Sequence, residues 1–334
     1  MEKKRLSYID IAKGILILFL LMGHALLFIR NEGIDDGFIN GFQRLRLYLW
    51  TPYYMPAFFV ITGYCSNFDK PFPTFLWQNI KTLKIPAMIF GTFLVFVTMM
   101  NHHTFSIQRF FHHVSLCVID SGLWFLDALF IAKVLYWAML KCCRGRRMLF
   151  LVCLLLFVGG LFMFNNNIPQ KDFGSVCHAL MLTVFLFVGL QLKFLQLSSR
   201  GKTLGGGAVF ILSIFCVIML GFSIPYITNK ISLDWMRIIP FFFLSVSGSM
   251  AVIGISHSIG ENRWLEFIGR NSLVFYMFNT FALNISVKLF SHYMTSHLNC
   301  FLFYAAIMVL TLIILTIITK VLSTKYLKFS LGKF

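Results

Sequence analysis

The chain has 334 residues, 58% of them hydrophobic and only 12% charged, with 40 Phe. Soluble domains run at roughly 45–50% apolar and about 25% charged, so this composition excludes an ordinary soluble domain and points to a lipid bilayer. The formal charge of +17 lies in short segments between apolar runs, where it reads as membrane topology rather than as a nucleic-acid surface.

A membrane helix needs about 20 mostly apolar residues. Candidate spans follow one another at 11–29, 48–66, 85–100, 122–140, 148–164, 176–193, 206–226, 237–257, 271–289 and 300–322. The expected fold is an all-α, polytopic transmembrane helical bundle of about ten spans, forming one domain over 1–334. With the N-terminus inside, the outer segments hold Arg30, Arg44, Arg46, Arg109, Lys171, Lys230, Arg237 and Lys288, while Lys133 lies within a span. The other Lys and Arg fall on the inner side, which predicts both termini cytoplasmic. The eight Cys sit mostly inside apolar runs without zinc-ligand spacing and read as small hydrophobes. His102, His103, His112 and His113 form two pairs in an outer segment, but no Cys or carboxylate is spaced to complete a metal site, and none is expected.

The first span carries the most chemistry. Asp10 and Lys13 are three apart at its inner end and can pair on one helix face. Lys13 and His24 are eleven apart; at about 100° per residue they return to within roughly 20° of the same direction, about 16 Å apart along the axis. A polar stripe therefore runs from the cytoplasmic edge into the bilayer. Ionisable residues there are costly and usually face a bundle interior or a wet cavity. The plain alternative is an interfacial Asp10–Lys13 pair and a packing histidine.

The segment from Arg5 through Asp10, Lys13-Gly14 and Gly23-His24 resembles the opening of the acyltransferase-3 family of membrane acyltransferases, especially its fucose 4-O-acetylase-like branch. Its hallmark is a basic residue, ten intervening residues and a His, as in Lys13 and His24. Met55-Pro-Ala-Phe-Phe-Val-Ile-Thr-Gly-Tyr64 looks like the second-helix motif of that family, with Tyr54 where His is common. Lys81 and Lys84, before Pro86, resemble its inner basic pair, which on one helix face could hold a polyphosphate. Leu123-Trp124-Phe-Leu-Asp127 resembles its Trp-Phe-Leu motif, and Asp127 there is either a partner for an imidazole or an interfacial residue. Ile268-Gly-Arg-Asn-Ser-Leu-Val-Phe-Tyr-Met-Phe-Asn279 resembles its late motif with Asn279 in place of His. Asn cannot act as a base at neutral pH, which leaves His24 as the base within the membrane. His178 and His257 match no motif.

The resemblance implies an O-acyltransferase moving an acyl group, acetyl by expectation, from cytoplasmic acyl-CoA to a hydroxyl of a cell-envelope or exopolysaccharide carbohydrate. It implies catalytic roles for His24, Asp10 and Asp127. Arg5, Lys13, Lys81 and Lys84 would hold the coenzyme A phosphates, and Tyr64, Trp124 and Asn279 would line the substrate. The implied location is a bacterial-type cytoplasmic membrane, with lipid, acyl-CoA and carbohydrate as partners. The competing reading is a transporter or flippase of a lipid-linked sugar. It accounts for an ionisable residue in the bundle but not for the basic pair, and no inverted repeat of interrupted helices stands out.

Overall fold

A computed structural model of the chain describes residues 6–33, 37–101, 105–165, 170–198, 235–291, 300–324 and 327–332. Every regular element among them is helical. In chain order they are α1 (Ser7–Asn31), α2 (Gly37–Leu49), α3 (Thr51–Cys65), α4 (Phe72–Asn79), a π-helical turn (Ile80–Lys84), α5 (Ile85–Asn101), α6 (Ile107–Cys117) and α7 (Trp124–Cys142). Then come α8 (Arg146–Asn165), α9 (Gln170–Ser198), α10 (Trp235–Ile259), α11 (Arg263–Arg270), α12 (Ser272–Ser291), α13 (Cys300–Leu322) and a final 3₁₀ turn (Lys328–Leu331).

Seven helical stretches among the described residues are long and apolar enough to cross a membrane, so the chain is an all-α, multi-pass membrane protein. The expected span 85–100 is longer than its hydropathy suggested, because the helix runs unbroken from Phe72 to Met100. The expected span 48–66 becomes a helix of 15 residues, α3. The expected span 122–140 is the 19-residue α7, in which Asp127, Lys133 and Lys141 keep the charge density high. The expected span 206–226 lies outside the described residues.

Sequence reading treats 1–334 as one domain; within it the chain clusters into two compact units. The first comprises Met1–Phe58 and Leu197–Val321, the second Phe59–Gln196 and Leu322–Phe334.

In the first unit, α1 packs against α10, α11 and α12. Its N-terminal part meets α11 backbone to backbone. A Cβ on Gly14 would lie 2.4 Å from the Leu265 carbonyl oxygen, and one on Gly269 would lie 1.7 Å from that of Asp10. Small residues at a crossing let helix axes approach this closely where lipid supplies no hydrophobic drive. Helix α11 is capped by Asn262, whose side chain accepts from the Leu265 amide at 3.0 Å. Toward the C-terminal end of α1, Ala25, Leu26 and Ile29 pack with Ile39, Leu283, Val287, Phe303, Tyr304 and Ile307.

Helix α3 contains Pro56, which has no N–H to offer the carbonyl four residues back. That carbonyl belongs to Pro52, and the Ser245 hydroxyl of α10 donates to it at 2.7 Å. A neighbouring helix thus satisfies the acceptor that proline strands, as a membrane interior requires.

The second unit has a seam of the same kind. A Cβ on Gly63 would lie 2.2 Å from the Leu186 carbonyl oxygen, and one on Gly189 would lie 1.9 Å from that of Val60. Beside it, Lys193 donates to the Ser66 carbonyl at 2.9 Å, and the Trp137 indole donates to the Lys70 carbonyl at 3.1 Å. In the same unit, the Phe68 and Tyr136 rings meet edge to face with centroids 4.9 Å apart.

Candidate active site

The residues singled out by sequence fall into two constellations, one in each unit. Around α1, Asp10 is 2% exposed and accepts from the Arg270 Nε at 3.3 Å. Arg270 also donates to Glu266 at 2.7 Å, and Glu266 in turn accepts from the Ser7 hydroxyl. A buried carboxylate is stable only when charge and hydrogen bonds compensate it, and Arg270 contributes that compensation. The partner sequence proposed for Asp10 was Lys13. Instead, Lys13 is half-buried on α1 and makes no ion pair among the described residues. Arg5 lies outside the described residues.

His24 is half-buried in the C-terminal part of α1, with no hydrogen-bond partner among the described residues. Its electrostatic neighbour is Arg46 of α2. Arg46 Nη1 donates to the Gly23 carbonyl at 2.9 Å, one residue before His24. Glycine leaves room for this approach: a Cβ on Gly23 would lie 2.8 Å from Nη1 and make the guanidinium shift. Aromatic rings wall the region: Trp50 stacks on Phe19 at 5.6 Å, and Phe42 meets Trp50 at 5.6 Å and Tyr304 at 5.5 Å. The Tyr304 hydroxyl donates to the Met22 carbonyl at 3.2 Å.

Asn279 is 4% exposed on α12; its Nδ2 donates to the Tyr276 carbonyl, and its Oδ1 is buried without a partner. It lies one turn, about 6 Å, before Leu283, which packs at the level of Ala25 and Leu26. His257 sits against Tyr8, with ring centroids 5.2 Å apart.

The second constellation centres on Asp127, 1% exposed on α7. Lys84 Nζ reaches its Oδ1 at 2.6 Å, while the Ser121 amide and hydroxyl donate to Oδ2 at 2.7 and 2.6 Å. Lys84 also donates to the Ile119 carbonyl at 3.1 Å. Asp127 is therefore bound by an ammonium and a serine, where sequence offered an imidazole partner or an interface.

Lys81 and Lys84 turn to different partners. Both fall on the π-helical turn, whose i→i+5 pairing widens the spiral and moves residues three apart further around it. Lys81 lies over the Trp77 ring at 5.1 Å, whereas Lys84 turns to Asp127.

Tyr64 is half-buried beside the Gly63–Gly189 seam. Trp124 stacks on His178 at 4.4 Å, and His178 Nδ1 pairs with the Gly174 carbonyl at 2.7 Å, which makes it a packing histidine. His113, Arg109, Thr98 and Ser121 line a cleft of about 420 Å³. His112 is exposed, and His102 and His103 lie outside the described residues.

Sequence reasoning missed Arg46, Arg270 and Ser121. Arg46 had been counted among the outer topology cations, and Arg270 sits inside the late motif that drew attention only to Asn279. The Gly before His24 was the available signal that something approaches there.

No curated protein and no solved structure matches the chain. A family comparison matches residues 6–320 to the acyltransferase domain of the acyltransferase-3 family, a match that spans both units. The chain, with its membrane helices and this near-complete match, belongs to that family and is a membrane acyltransferase.

Proposed function

We propose that the protein transfers an acyl group, acetyl in the first instance, from cytoplasmic acyl-CoA to a hydroxyl of a cell-envelope or exopolysaccharide carbohydrate, with His24 as general base. This places it in a bacterial-type cytoplasmic membrane with both termini inside. The fucose 4-O-acetylase-like branch is the part of the family its motifs most resemble.

One observation carries the reading. His24 is half-buried within a membrane helix and has no hydrogen-bond partner among the described residues, so its ring nitrogens remain available to a reacting proton. An alcohol is a weak nucleophile until it loses its proton, and a neutral imidazole with a free ring nitrogen can take it. Lys13, on the same face of α1 and without an ion pair among the described residues, supports a role in holding donor phosphates. Lys84 serves that role only by releasing Asp127. Tyr64, Trp124 and Asn279 remain candidates for the substrate surface, and Asp10 acts through Arg270 at the inner end of α1.

The test uses membranes containing the protein, labelled acetyl-CoA and envelope glycan. His24→Ala, at unchanged expression, is expected to lower transfer by about 10²–10⁴-fold. Full activity in that variant removes His24 from the mechanism. Movement of the glycan across the bilayer without acyl transfer would instead identify a flippase.

A further inference from the structure

Arg46 is the strongest unexplained feature of the first unit. It is a half-buried guanidinium with no carboxylate partner among the described residues. Its Nη1 is spent on the Gly23 carbonyl, and its Nε is buried without a partner. Its electrostatic neighbours include His24 and the phenols of Tyr54 and Tyr304. A cation taken out of water without a counter-charge is costly, so such a site is poised for negative charge.

The same helix face holds more unused polarity. Gln43 precedes Arg46 by three residues and Trp50 follows it by four, so both share its side of the helix. The Trp50 amide closes that turn on the Arg46 carbonyl at 3.2 Å. Gln43 Oε1, Trp50 Nε1 and Thr51 Oγ1 are all buried without hydrogen bonds. Buried polar atoms are ordinarily paired, so this concentration on one short stretch calls for a ligand. Phe19, Phe42 and Tyr304 surround it with low-dielectric surface, which strengthens every charge interaction inside.

We infer that Arg46 is a catalytic residue, the donor that stabilises the oxyanion formed on the acyl carbonyl beside His24, with the Trp50 indole N–H as a second donor. The inference rests on the acyl-transfer reading above. The acceptor hydroxyl oxygen attacks the thioester carbonyl carbon while its proton passes to His24. The C–O bond forms, and the carbonyl π pair moves onto oxygen, where Arg46 binds it. Collapse of that oxyanion breaks the C–S bond, and the departing thiolate takes the proton from His24, giving the ester and free coenzyme A. No electrons are gained or lost overall. The tether to the Gly23 carbonyl fixes the guanidinium next to the base, so one carbonyl group can meet both.

The experiment measures kcat and KM for acyl transfer in purified wild type, Arg46→Gln and Arg46→Lys, each checked for monodispersity and thermal stability. Arg46→Gln is expected to lower kcat by about 10²–10³-fold with KM for acyl-CoA unchanged, since an oxyanion exists only beyond the ground state. Arg46→Lys should recover part of that loss, because it keeps the charge and loses the planar fork. Gly23→Ala, which pushes the guanidinium away while leaving its chemistry intact, should depress kcat in the same direction. Undiminished kcat in Arg46→Gln overturns the assignment. So does a rise in KM at constant kcat, which would make Arg46 a ground-state anion binder. Wild-type protein that neither transfers nor hydrolyses acyl-CoA removes the acyl-transfer reading and this assignment together.

Discussion

Two charged groups in this molecule, one buried and one half-buried, live in opposite circumstances. Asp127 has both carboxylate oxygens engaged, by Lys84 on one side and by Ser121 twice on the other. Arg46 has one bond to a backbone carbonyl, a buried Nε without a partner, and three further unpartnered polar groups on or next to its own helix. A satisfied network fixes structure, whereas an unsatisfied one waits for something to bind. Motif resemblance alone gave Asp127 a catalytic candidacy and gave Arg46 none. The hydrogen bonds argue the other way: Asp127 has the surroundings of a structural tie, and Arg46 those of a reacting group.

The comparison breaks or sharpens under substitution. After the activity losses expected for His24 and Arg46, the largest effect should come from Lys84→Met. It strands the Asp127 carboxylate without its counter-ion, at a cost of about 3–5 kcal/mol. Thermal denaturation in detergent reads this directly, and a Lys84→Met/Asp127→Leu double variant should regain most of the loss. Unchanged melting in the single variant would mean that the Asp127 network is not a structural tie. Next, Lys13→Met should raise KM for acyl-CoA by about tenfold, roughly 1.4 kcal/mol of ground-state binding, with kcat held. A fall in kcat at saturating donor would move Lys13 from anchoring to chemistry. The smallest effect is expected of Ser245→Ala, about 1 kcal/mol, for one hydrogen bond to the carbonyl that Pro56 leaves unpaired. Equal stability there would show that another donor serves Pro52.

The long apolar helices of the first unit, α1, α10, α12 and α13, were readable because hydropathy and helical phase are local properties, whereas the short α2 and α11 were not. The shared face of Lys13 and His24 needed only their spacing. Partners were not readable. Arg270 reaches Asp10 across 260 positions, and Lys84 reaches Asp127 across 43, distances at which spacing says nothing. Helix α7 shows a different limit: Asp127 and Lys133 dilute its apolar signal because their compensation is invisible in the sequence. The π-helical turn shows a third, since it inserts a wider step where α-helical arithmetic had aligned Lys81 with Lys84. The segment 206–226 lies outside the described residues.

The glycine contact between α1 and α11 also sets the angular position of everything beyond it. With Gly14 pressed on the Leu265 carbonyl and Gly269 on that of Asp10, α1 cannot rotate in its N-terminal part without a backbone collision. The ten-residue interval from Gly14 to His24 then works as a gauge. Adding or deleting one residue within it would turn His24 by about 100° away from the side where Arg46 meets Gly23. The interval is thus constrained in length more tightly than in composition, because its apolar residues can be exchanged for others of similar size but not renumbered.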